Sequence, residues 1–219
     1  MTDAVADLHN GDSQGKAFVI GITGGSASGK TLFLRSLLKH FTKDQVCLIS
    51  QDNYYKEISK IPLDENGIQN YDLPDCIDFE LYASHIKDLV NGKEVHHKEY
   101  TFNNPEIVPK DIIHQPAPVI VVEGLFVFYE SSISDLLNLK VFIDAKEKVK
   151  IKRRIRRDKK ERGLKLTEVL YQWENHVKPT YKAFIKPTKK SSDIIINNND
   201  HFENGLRVLS TFIKTLIKK

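Results

Sequence analysis

A lysine and a threonine stand together at the end of a glycine-rich run, Gly24-Gly25-Ser26-Ala27-Ser28-Gly29-Lys30-Thr31. The spacing is that of G-x-x-x-x-G-K-[ST]. Gly24, Gly25 and Gly29 carry no Cβ, so the backbone there can curl with its N–H groups turned inward around an anion. Lys30 brings an ammonium group to β- and γ-phosphates, and the Thr31 hydroxyl suits Mg²⁺. The run therefore predicts a site for a nucleoside triphosphate with Mg²⁺. A glycine turn that only joined a strand to a helix would not need Lys30 and Thr31 after Gly29.

Three carboxylates could act beside that loop. Asp52 follows an apolar segment in Ser50-Gln51-Asp52-Asn53-Tyr54-Tyr55. Phosphorylating a hydroxyl requires a carboxylate to orient or accept its proton, and Asp52 is placed to do so; capping a turn is its alternative role. Glu123 ends Val121-Val122-Glu123-Gly124, where it suits a Mg²⁺ contact or serves as an ordinary strand-end acid. Asp72 sits in Tyr71-Asp72-Leu73-Pro74-Asp75 and can accept two hydrogen bonds from the vicinal hydroxyls of a sugar. Tyr71, Tyr100 and Phe102 could stack on a flat base, and on a strand Tyr100 and Phe102 would share one face. Arg153, Arg154, Arg156, Arg157 and Arg162 lie on one basic stretch. Such arginines can close over a triphosphate and offset the charge that builds during transfer, with Gly163 as the hinge.

Short apolar strands must hold these groups. They are predicted at residues 17–23, 46–50, 119–123, 139–144 and 193–197. Helical periodicity fills the intervals at 30–41, 79–91, 131–137, 146–162, 166–185 and 201–217. Continuous apolar strands alternating with helices imply a mainly parallel sheet covered on both faces. Ligands then gather beyond the carboxyl ends of the strands. The interval 51–117 is long and contains a hairpin pattern, 94–102 against 107–113, so it is expected to form the wall for the phosphate acceptor. Residues 1–15 are polar and aperiodic and are expected to be a disordered tail; residues 16–219 form one domain, with a lid near 150–166.

The composition excludes several classes. No apolar run is long enough to cross a bilayer, and the polar start of the chain lacks an export pattern. Two cysteines, Cys47 and Cys76, are too few for a disulfide framework and point to the cytoplasm. The net charge of +4 is modest, but basic residues concentrate in 146–165 and 182–190. Such blocks can bind nucleic acid; here they coincide with the expected lid, and no nucleic-acid motif accompanies them.

Taken together the motifs resemble the uridine–cytidine kinase family, close to the phosphoribulokinase group of P-loop kinases. The likeness spans residues 18–217 and rests on the phosphate loop, Ser50-Gln51-Asp52, Tyr71-Asp72 with Pro74-Asp75 and Asp78, and Val122-Glu123-Gly124. It extends to Arg153-Arg154, Arg157-Asp158, Glu161-Arg162-Gly163, Val177-Lys178-Pro179 and Pro187-Thr188-Lys189-Lys190. The resemblance implies a P-loop fold with a five-stranded sheet, an acceptor hairpin and an Arg-rich lid. It implies transfer of the ATP γ-phosphate to the 5′-hydroxyl of uridine or cytidine, in pyrimidine salvage. On this basis Asp52 is the base, with Lys30 and Arg157 at the reacting centre. Asp72, helped by Arg157 and Gln172, holds the ribose. Tyr55, Tyr71, Tyr100 and Phe102 surround the nucleoside. Arg154 and Arg162 face phosphates, Thr31 and Glu123 serve Mg²⁺, and the assembly is a homotetramer. Three positions depart from the family pattern: Pro105 and Ile107 stand where a base-reading histidine and an arginine are usual, and Leu164 replaces an arginine after the lid. A kinase for a different small alcohol or sugar is therefore the first rival reading, and a nucleotide-dependent nucleic-acid switch a remote one.

Overall fold

The computed structural model describes residues 16–101 and 106–218. Its centre is a five-stranded sheet in the order β2-β5-β1-β6-β7. These strands are β1 (Phe18–Thr23), β2 (Val46–Ser50), β5 (Val119–Glu123), β6 (Leu139–Asp144) and β7 (Ile194–Asn197), and every pairing is parallel. All five residues of β5 are buried, as a central strand covered on both faces requires.

Alternate side chains feed two cores. On one face Ile20, Ile22, Val119, Val121, Val141 and Ile143 meet Phe33, Leu34 and Leu37 of α1 (Lys30–Leu38) and Leu209 and Ile213 of α7 (Glu203–Ile217). On the other, Val19, Ile49, Ile120, Val122 and Phe142 meet Tyr82, Ala83, Ile86 and Leu89 of α2 (Phe79–Val90). Each fully buried large side chain contributes about 1.5–3 kcal/mol. Asp78 caps α2, its carboxylate accepting from the Leu81 N–H at 3.0 Å. A short helix α3 (Ser131–Ser134) precedes β6, and α4 (Glu147–Glu161) carries the basic stretch.

The helix expected at 166–185 is a continuous helical path but not a uniform one. It runs as α5 (Leu166–Gln172), a wide π-turn at Trp173–Val177, α6 (Lys178–Thr180) and a second π-turn at Tyr181–Ile185. Pro179 has no N–H to give an α-ladder, and the widened turns flank it.

The hairpin pairs β3 (Val95–Lys98) with β4 (Asp111–His114), antiparallel and apart from the main sheet. The ladder is shorter than expected. In its register Lys98 faces Asp111, and one further bond runs from Glu99 N to Lys110 O. Pro109 would be next opposite Tyr100 and has no N–H to offer. Tyr100 therefore lies beyond the strand rather than on it, which corrects the expectation that strand alternation puts it on a common face with Phe102. Phe102 and Pro105 lie outside the described residues, as does the tail at 1–15.

Candidate active site

The register of the sheet puts Ser50, Glu123 and Thr23 at one edge, because Ser50 pairs with Glu123 and Ile22 with Glu123. The glycine-rich loop turns over that edge into α1. A Cβ on Gly24 would sit 2.2 Å from the Ile143 carbonyl oxygen. Gly29 has φ of 99°, and a Cβ there would fall 2.1 Å from Asn198 Nδ2. Only glycine fits either position. The loop is clamped from behind: Asn198, buried just after β7, donates its amide to Ser28 O at 2.7 Å. Arg153 donates to the same oxygen at 3.2 Å and to Asn198 O at 2.9 Å. Arg153 is thus a brace under the loop, not part of a lid over it, because carbonyls of the loop and of the segment just after β7 already occupy its guanidinium.

Inside the loop the Ser28 hydroxyl oxygen is buried with no hydrogen-bond partner among the described residues. An unsatisfied hydroxyl in a ring of amides fits an anionic guest. Lys30 closes the loop on itself, donating to Gly24 O at 2.9 Å. Burial pushes its pKa down, while Glu123 and Asp52 pull it back up. Thr31 follows, exposed, in the first turn of α1.

Opposite the loop, Ser50 donates to Glu123 Oε1 at 2.9 Å. Tyr82 donates to Ile49 O at 3.1 Å and Glu123 O at 3.0 Å, tying the ends of β2 and β5 together. Burial, and then the charge of Asp52, push Glu123 up to about 7 against the pull of Lys30 and Ser50. Asp52 is exposed on a single 3₁₀ turn, Gln51–Tyr54, and its N–H leans on Ser50 Oγ at 3.3 Å. Among the described residues no group of three or more His, Cys, Asp or Glu side chains could hold a metal ion. A hydroxyl, one or two carboxylates and oxygens from outside the protein would suit Mg²⁺, which keeps much of its own water and takes phosphate oxygens.

On the acceptor side, Tyr55 stacks on Tyr100 with ring centres 5.3 Å apart, and Tyr71 meets Tyr55 edge-on at 6.2 Å. Asp72 is largely buried and 3.9 Å from Arg154 Nη1. Burial raises its pKa, with Arg154 the largest opposing influence. Arg154 also donates to Ser26 Oγ at 3.0 Å and to Gln172 Oε1 at 3.1 Å. It joins the phosphate loop to the acceptor wall, and it is Arg154 rather than Arg157 that touches Gln172. A cavity of about 350 Å³ opens beside Gln172, its rim formed in part by Ile68, Leu164 and Tyr171.

Three arginines, Arg154 among them, converge on a residue whose role the sequence did not signal. Asp158 is fully buried; Arg157 Nε lies at 2.8 Å, Arg154 Nε at 3.1 Å and Arg162 Nη1 at 3.7 Å. The basic helix thus turns several of its arginines inward. Asp158 could have been suspected as an acid set directly among the cations Arg153 to Lys160, and Asn198 from its place at the carboxyl end of a strand. Nothing in the pattern marked Arg153 as a brace.

A phosphate loop at the edge of a doubly covered parallel sheet, with acids on the neighbouring strand ends and arginines packed over it, defines a P-loop phosphotransferase. The chain belongs to the phosphoribulokinase/uridine kinase family, whose model matches residues 19–202. It is 37% identical over 201 residues to a uridine kinase of Staphylococcus haemolyticus, covering 92% of this chain and 97% of that protein. It is 39% identical over 203 residues to a uridine kinase of Borrelia garinii subsp. bavariensis, covering 93% and 97%. In fold it resembles D-glycerate 3-kinase from Cryptococcus neoformans, with a TM-score of 0.61 at 14% identity, covering 86% of this chain and 88% of that one. Among the described residues no helix is long and apolar enough to cross a membrane. Cys47 and Cys76 are free, buried thiols, each pushed up to about 11 by burial.

Proposed function

We propose that this protein transfers the γ-phosphoryl group of ATP to the 5′-hydroxyl of uridine or cytidine, giving the nucleoside monophosphate and ADP in the cytoplasm, as a step of pyrimidine salvage. The observation that carries the reading is the meeting of three parts at one sheet edge. These are the amide-lined loop with Lys30, the Glu123–Ser50 pair at 2.9 Å, and Asp52 on the next turn. The two uridine kinases quoted above, matched over nearly their whole length, support the choice of acceptor.

In this reading the residues divide the work as follows. Backbone amides of Gly24 to Thr31, including those of Gly25, Ser26, Ala27 and Ser28, hold the polyphosphate. Asp52 takes the proton of the acceptor hydroxyl as its oxygen bonds to phosphorus and the bridging P–O bond of ATP breaks toward ADP. Lys30, with Arg154, Arg157 and Arg162, offsets charge on the transferring group and the leaving phosphate. Thr31 and Glu123 would hold Mg²⁺, which when bound neutralises phosphate charge. Asp72, with Arg154, Arg157 and Gln172 near it, holds the ribose hydroxyls, while Tyr55, Tyr71 and Tyr100, with Phe102, wall the base. Residues 150–166, the braced Arg153 excepted, act as a lid over a single domain spanning 16–219, turning at Gly163, whose φ of 67° suits glycine. The working assembly is a homotetramer, and no nucleic acid takes part.

A second reading keeps the phosphoryl chemistry and changes the acceptor. Leu164 at the cavity rim and the exposed Ile107 favour it, since neither side chain can hydrogen-bond a base edge. An acceptor panel with labelled ATP separates the two. Label in UMP or CMP supports the nucleoside reading; label only in a sugar or small-alcohol product overturns it.

A further inference from the structure

The loop that carries Asp72 ends in a tip seated on the helix behind the arginines. Asp64 lies at that tip, and its carboxylate accepts four hydrogen bonds. Its Oδ1 accepts from Asn66 N at 2.9 Å and Ile68 N at 2.8 Å, which shapes the turn. Its Oδ2 accepts from Tyr171 Oη at 2.6 Å and His176 Nε2 at 2.7 Å, which join the turn to α5 and the π-turn after it. An ionised carboxylate only accepts, so His176 carries its proton on Nε2. Asn66 Nδ2 donates to Tyr171 Oη at 2.6 Å, a second link from the same tip.

His176 is 2% exposed, and a buried imidazole needs a partner. The Tyr171 hydroxyl above all, then His176 and the two backbone amides, hold the Asp64 carboxyl well below the usual carboxylate range. It therefore stays ionised wherever the protein is folded and working.

The tip is rigidly connected to the acceptor wall. Leu63 pairs with Gln69, Asp64 N donates to Ile68 O at 2.8 Å, and Asn70 N donates to Pro62 O at 2.8 Å. Asn70 Oδ1 then accepts from Asp72 N at 3.1 Å. On the helix side Tyr171 and His176 bracket Gln172, which touches Arg154. Asp64 is thus linked at both ends, to Asp72 through the hydrogen bonds of the loop and to Gln172 through the helix.

We propose that Asp64, Tyr171 and His176 form a latch of positioning residues that sets the distance between the Asp72 loop and the Gln172 helix, and so sets affinity for the acceptor more than for ATP. The role assigned to Asp72 and Gln172 rests on the nucleoside kinase reading above; the latch itself does not. Hydrogen bonds to a charged group are worth enough that losing one raises the acceptor KM on the order of tenfold.

His176→Leu fills the site without a donor, and His176→Gln keeps an N–H donor. The expected result is a nucleoside KM raised about tenfold in His176→Leu, with kcat and the KM for ATP within about twofold, and most of the loss restored in His176→Gln. Amide hydrogen exchange at residues 61–72 should be faster in His176→Leu than in the wild type. An unchanged acceptor KM, or equal loss in kcat and both KM values in both variants, overturns the latch. If His176→Leu does not fold, Asp64→Asn at the surface tip takes its place with the same expected split. If the wild type phosphorylates no nucleoside, the functional reading fails on its own, and exchange still judges the latch: faster exchange supports it, unchanged exchange ends it.

Discussion

Asp158, without solvent exposure, accepts the Nε–H of Arg157 at 2.8 Å. The same carboxylate lies 3.1 Å from Arg154, four residues earlier and itself 4% exposed. One buried negative charge thus gathers guanidinium groups that would otherwise repel each other and be costly to desolvate. The arginines over the site are set by that acid more than by the helix that displays them.

Replacing Asp158 with Asn should leave Arg154 buried without a full counter-charge. Breaking one side of a buried ion pair typically costs about 3–5 kcal/mol. Urea denaturation should therefore show a lower midpoint with little change in slope. A loss of less than about 1 kcal/mol would place the pair among the weak surface type.

Asp52→Asn tests the proposed base. Asp52 is exposed and makes no ion pair among the described residues, so the thermal midpoint should stay close to wild type. Turnover should fall about a hundredfold to ten-thousandfold, the usual contribution of a positioned general base. Steady-state kinetics with the acceptor identified by the panel decides it, and near-normal kcat would remove Asp52 from the role.

Gly29→Ala should cripple the phosphate loop. The new methyl would have to share space with Asn198 Nδ2, 2.1 Å away, at a φ of 99° that alanine avoids. Strain of that kind costs about 1–3 kcal/mol. The rise in thermal midpoint on adding Mg·ATP, which reports binding to the folded state, should largely disappear.

The hairpin should loosen in acid. His97 Nε2 and His114 Nε2 are 2.8 Å apart with their rings stacked at 5.0 Å, one ring nitrogen donating to the other. Burial, with His97 and then His85 nearby, depresses His114 to about 4. A histidine whose folded pKa is depressed favours the folded state above the unfolded value of about 6.5, and that stability is lost as pH falls toward about 4. Asp64, held below the ordinary carboxylate range, contributes no loss until still lower pH. Between pH of about 7 and 4.5 the thermal midpoint should therefore drop, and drop less in His114→Gln; equal drops would clear His114.

The parts of this protein legible from its sequence are those governed by local rules. Alternating apolar strands and helices predicted the five parallel strands within a residue or two of their ends, and G-x-x-x-x-G-K-[ST] located the anion loop. Such signals depend on neighbours along the chain, where periodicity and backbone freedom act. What only the tertiary structure decided involves residues brought together across long separations. Asn198 and Arg153 reach Ser28 from 170 and 125 positions away. His176 finds Asp64 across 112, and the Tyr100 segment leaves its strand because Pro109 falls opposite. Buried polar groups must find partners wherever the fold brings them, and no spacing in the chain announces which partner that will be.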